Sequence, residues 1–131
     1  DMERTMLPSW TTRVPRNWLL VTDLSVDQMQ ILCTVHLPIT LIRLWHTADE
    51  RMHDLLSNFL DLIRAVVIAN MRTTSQEHIS EYNRYIVKYM TDSCLLYPDV
   101  TLKPVDHAAL HLGTMLNDFG PVHAHSSPYY E

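Results

Sequence analysis

Apolar side chains recur three and four positions apart along most of this chain, the spacing of helices with one buried face. The densest run holds Val26, Met29, Ile31, Leu32, Cys33, Val35, Leu37, Ile39, Leu41, Ile42, Leu44 and Trp45. It is apolar nearly all round, which predicts a buried central helix capped by Asp23 or Ser25. Pro38 interrupts the run. Proline withdraws a backbone donor and crowds the preceding turn, so the expectation is a kink, or two helices meeting near Leu37 with Pro38 as the first residue of the second. Asp49 or Thr47 opens the next helix. Its core face would be Met52, Leu55, Leu56, Phe59, Leu60, Ile63, Val66, Val67 and Asn70, and its polar face Glu50, Arg51, Asp54, Asn58, Asp61 and Arg64.

The polar cluster Thr73-Thr74-Ser75 ends that helix, and Thr74 followed by Glu77 is a capping-box pattern for another. Its inner positions are Ile79, Tyr82, Ile86, Tyr89, Met90, Ser93 and Cys94. Tyr97-Pro98-Asp99 is a loop. Pro104 suits the first position of a last helix running to Phe119, Gly120 suits the left-handed residue that ends it, and Pro121 forbids continuation. Residues 1–22 carry Pro8, Pro15 and little periodicity, so they predict an extended arm anchored by Trp10 and Trp18. The expected fold is all-α: a bundle of four to five helices over residues 23–120, with the arm at 1–22 and an irregular tail at 121–131.

Composition agrees with that class. The chain has 131 residues, 47% apolar and 19% charged, enough for one domain with a real core. Two glycines are too few for a turn-rich β fold. The net charge is −5 and the ten Lys and Arg residues form no cluster, so nucleic-acid binding by this domain has little support. Cys33 and Cys94 are expected as reduced core thiols. No signal core opens the chain, and His36, Arg43, Asp61 and Arg64 interrupt its apolar stretches, so no membrane span is expected.

The candidate chemistry lies late in the chain. His107 and His111 stand four apart and share a helix face, so both can point at one ion, one carboxylate or one backbone group. Zinc or another divalent metal would need further ligands, which His123, His125, Cys94 or Glu131 could supply. There is no Cys-x-x-Cys, and the glutamate of a zinc-protease helix is missing because Ala108 follows His107. The competing expectation places both rings on the inner side of the last helix, bonded to backbone or a carboxylate. His46, His53 and His78 are expected at the surface or in caps, and Tyr82, Tyr85 and Tyr89 in the core or at an interface. No Gly-rich phosphate loop or nucleophile elbow is present.

The wording of the tail adds a resemblance. Lys103-Pro104-Val105-Asp106-His107-Ala108-Ala109-Leu110-His111-Leu112, then Phe119-Gly120-Pro121-Val122-His123, then Pro128-Tyr129-Tyr130-Glu131 resembles a C-terminal domain of unknown function in fungal and plant CACTA-type transposon proteins. Pro8-Ser9-Trp10, Val14-Pro15-Arg16-Asn17-Trp18, the Leu32–Trp45 segment and Ile68–Ser75 resemble that domain as well, in order along the chain. The resemblance implies a helical, non-catalytic structural or protein-interaction domain, with the rest of a transposase or another protein as partner, self-association as a further option, and a nuclear location. It also implies a truncated fragment, ending at Glu131 inside a family motif. Glu131 matches a glutamate that could be the third metal-binding carboxylate of a ribonuclease-H-like core, catalytic only in a full-length parent. The alternative it implies is a metal-dependent nuclease or transposase fragment with His107, His111, His123 and Glu131 near a divalent ion. No enzymatic activity is expected of the isolated domain.

Overall fold

The computed structural model describes residues 7–9, 11, 13–15 and 24–124. The expected all-α class holds: α1 spans Val26–Ile31, α2 Leu37–Trp45, α3 Glu50–Ala69, α4 Gln76–Leu96 and α5 Pro104–Phe119, followed by a 3-10 turn at Val122–Ala124. No strand occurs among the described residues, and none of their helices is long and apolar enough to cross a membrane. The chain divides into two compact units, Asp1–Leu56 and Ser57–Glu131. The anchoring role expected of Trp10 and Trp18, the Asp23 cap, His125 and Glu131 fall outside the described residues.

In the first unit Ser25 is the cap. Its Oγ accepts from the Gln28 N–H at 3.3 Å, and the Gln28 Oε1 accepts from the Ser25 N–H at 3.0 Å. The break expected near Leu37 takes an unexpected form. Residues Leu32–His36 continue α1 as a π-helix, in which the Leu37 N–H reaches back five residues to the Leu32 carbonyl, and α2 follows with Pro38 in its first turn. Pro38 explains the widening. It cannot donate to the carbonyl four residues back, and its ring crowds that carbonyl, so a wider turn just before it relieves the clash. The expected burial all round is corrected here. Leu32, His36 and Pro38 are buried, while Val26 is 74% exposed and Leu44 59%.

In the second unit the core is Ala65, Ala69, Ile79, Tyr82, Ile86, Met90 and Leu116, with Leu62, Ile68, Tyr85, Tyr89, Leu112 and Val122 packed on it. The inner positions expected for α4 are thus in place through Met90. The helix ends follow local chemistry. Asp49, still in the first unit, opens α3, its Oδ1 accepting from the Met52 N–H at 2.9 Å. Ser75, not Thr74, caps α4, taking the His78 N–H at 3.2 Å. The Asp106 carboxylate accepts from the Lys103 N–H at 2.7 Å at the start of α5, with Pro104 in its first turn. Gly120 ends α5 at φ +80°, a conformation that glycine adopts without a Cβ clash.

The face of α3 needs the largest correction. Asn58 and Asp61, expected among its polar positions, are 3% and 2% exposed, and Val67, expected inside, is 44% exposed. The buried stripe turned toward α4 is Asn58, Asp61, Ala65 and Ala69, at three-four spacing, with Leu62 and Ile68 partly buried beside it, while Ile63 is buried as expected. Two alanines in that stripe leave room for the larger side chains of α4, and two polar residues at its start meet polar partners there.

Candidate functional site

Three polar groupings and one cleft stand out. The first lies between α3 and α4. Asn58 donates through Nδ2 to the Tyr89 carbonyl at 3.0 Å, and its Oδ1 accepts from the Ser93 hydroxyl at 3.1 Å. One turn on, Asp61 lies beneath two cations: the Arg64 guanidinium meets its Oδ1 at 2.9 Å, and the Lys88 ammonium meets its Oδ2. Lys88 also reaches Asp92 at 2.8 Å. The bond to Asp61 first, and the bond to Asp92 second, push the Lys88 ammonium above the ordinary lysine range. Both cationic side chains are about half exposed, so only the Asp61 carboxylate is enclosed, and each of its oxygens meets a cation. Arg64 and Arg84 also sit 5.5 and 4.8 Å from the centre of the Tyr85 ring. This cluster joins α3 to α4, and each of its acids meets a cation.

Beside it opens a cleft of about 450 Å³ within the second unit. Asn58 and Ser93 lie at its polar side, and Phe59, Leu62, Tyr89 and Tyr97 give it an apolar lining. Val100 and Leu102, from the loop between α4 and α5, also line it and are 65% and 56% exposed. Tyr97 is 41% exposed and Val105, at the start of α5, 68%. Cys94 lines the same cleft and is exposed, Cys33 is half-buried, and neither is in a disulfide, so the expected core placement fails for Cys94. Burial pushes the Cys33 thiol up.

The second grouping is the histidine pair. His107 and His111 are both exposed, which corrects the expectation of an inner position. The inner face of α5 carries Ala109, Leu112, Gly113 and Leu116 instead, and the Tyr82 hydroxyl donates to the Ala109 carbonyl at 2.8 Å. Burial pushes that hydroxyl up to about 12. The two imidazoles meet each other, Nε2 to Nε2, at 3.1 Å. Their rings stand edge to face at 71° with centres 4.7 Å apart. His123 does not join them: among the described residues no three His, Cys, Asp or Glu side chains converge on one ion position.

The third grouping is in the first unit. His36 Nδ1 and Thr40 Oγ1, one turn apart where the π segment passes into α2, are buried without hydrogen-bond partners.

No family model, curated protein or solved structure matches the chain. The geometry therefore carries the functional reading. The sequence spacing had singled out His107 and His111, and the structure brings them together. The same pattern puts Asn58 and Asp61 on a solvated face and Ser93 on an inner one, assigns Lys88 no role, and does not bring the four together. A signal for part of the grouping was present: Asn58, Asp61, Ala65 and Ala69 form a small-and-polar stripe at three-four spacing, which places them on one face of the helix. His46 and His53 lie at the surface as expected, with the His46 Nδ1 2.8 Å from the Arg43 carbonyl. His78 departs from that expectation, its Nδ1 being buried without a partner.

Proposed function

We propose that this chain is a non-catalytic helical interaction domain of the kind that CACTA-type transposon proteins carry, working in the nucleus beside the catalytic core of such a transposase. The observation that supports this reading best is the apolar rim of the cleft, where Tyr97, Val100 and Leu102 stand open to solvent around a cavity large enough to take partner side chains. Contiguous exposed apolar surface of this kind is characteristic of protein contacts. The net charge of −5 fits a protein partner better than a phosphate backbone. The pairing of Asp61 and Asp92 with cations also favours this reading over metal-dependent phosphodiester cleavage, which requires converging free carboxylates.

The test is co-elution of the domain with the ribonuclease-H-like core of a CACTA-type transposase. A stoichiometric complex that Val100→Asp and Leu102→Asp disrupt, with the variants retaining wild-type helicity, supports the proposal. Failure to form a complex, or magnesium- or manganese-dependent cleavage of DNA by the domain alone, overturns it.

A further inference from the structure

The contact between His107 and His111 is more specific than two exposed rings require. In a hydrogen-bonded imidazole pair one Nε2 carries the proton and the other accepts it. Both rings thus turn Nε2, rather than Nδ1, toward each other, 3.1 Å apart. That separation is the bite of one small metal ion. With metal–nitrogen bonds of about 2.0–2.1 Å, two ligands lie about 2.9 Å apart at a right angle and about 3.3 Å apart at a tetrahedral angle.

We propose that His107 and His111 form a two-histidine chelate for a late first-row divalent transition ion, tightest for Cu²⁺ and weaker for Ni²⁺ and Zn²⁺. Imidazole nitrogen prefers these ions to Mg²⁺ or Ca²⁺, and their relative affinities follow the general order for nitrogen ligands. The ring that carries Nε2–H gives that proton to water and takes one up at Nδ1, so both nitrogens coordinate without net proton release. Both side chains are exposed, and their reorientation disturbs no packing. Water fills the remaining positions, since no third described His, Cys, Asp or Glu joins the pair. The bound ion links one turn of α5 to the next and leaves open coordination positions facing solvent.

The inference is independent of the interaction reading and is tested on the full chain with the metal alone. Nitrogen-15 and proton NMR of the histidine side chains is followed during addition of CuSO₄, NiCl₂, ZnCl₂ or MgCl₂. The expected result is saturation at one Cu²⁺ per chain, with broadening centred on His107 and His111, and no response to Mg²⁺. His107→Ala and His111→Ala each lose that saturation while retaining wild-type helicity, and His123→Ala and His53→Ala keep it. Broadening centred on other histidines, saturation that persists in the His107→Ala/His111→Ala double variant, or no saturable binding overturns the proposal.

Discussion

The run from Val26 to Trp45 and helix α4 invert what their compositions promise. The first is by far the more apolar, yet Val26, Met29, Ile39, Ile42 and Leu44 are all exposed. Helix α4 alternates apolar residues with charged and polar ones, yet it places Ile79, Tyr82, Ile86 and Met90 in the main core. The difference lies in what each helix packs against. Helix α4 has one narrow apolar stripe and finds two partners for it: the Ala65 and Ala69 stripe of α3, and Leu112 and Leu116 of α5. A helix that is apolar all round has no preferred side, and only the part its neighbours cover is buried. Hydrophobicity gives a tendency to be covered, and the neighbours decide which face is.

The sharpest way to break this contrast is a matched pair of truncations. Tyr82→Ala removes a 3% exposed ring and its hydrogen bond, and should cost about 3–5 kcal/mol in urea unfolding. Leu44→Ala, at a residue 59% exposed, should cost no more than about 0.5 kcal/mol. Equal costs would show that the apolar N-terminal run contributes a core of its own.

Alkali probes the same core with the next largest effect. An unfolded tyrosine ionises near the ordinary value of about 10, whereas burial pushes Tyr82 up to about 12. Between those values the unfolded chain binds fewer protons than the folded one. Stability is therefore intact below pH 10 and falls as pH rises through 12, by on the order of 2 kcal/mol. Tyr82→Phe should flatten that slope while lowering stability at pH 7, through loss of the bond to Ala109. An unchanged slope would place the alkaline sensitivity elsewhere.

Smaller effects are expected where the α4 contacts are polar or close. A double-mutant cycle on Asp61→Ala and Lys88→Ala should give a coupling of about 1 kcal/mol, because water competes for the half-exposed ammonium. A coupling near zero would leave the apolar stripe alone in joining α3 to α4. At Gly113 an added Cβ would lie 2.0 Å from Asn83 Oδ1. Gly113→Ala alone should be close to neutral, its gain in helix propensity offset by displacement of that amide. Combined with Asn83→Ala it should gain about 0.5–1 kcal/mol, read as a rise in melting temperature. No gain in the pair would mean that backbone, rather than the Asn83 side chain, sets the spacing of α4 and α5.

By itself the sequence determined the fold class, the positions of the long helices and several of their ends. Ser25, Asp49, Pro104 and Gly120 act within one helical turn, through a cap, a fixed φ or a φ open to glycine, so their effects are readable locally. The same locality placed His107 and His111 on one face of one helix. Tertiary structure alone decided which face that was. The pair is exposed because Ala109, Leu112 and Leu116 take the inner side. It also decided that Asn58 and Asp61 are buried, which requires Tyr89, Ser93 and Lys88 to stand opposite them from about thirty residues away. A charged residue on a helix looks solvated until its partner is known, because burial and pairing belong to two surfaces at once and a single segment carries only one of them.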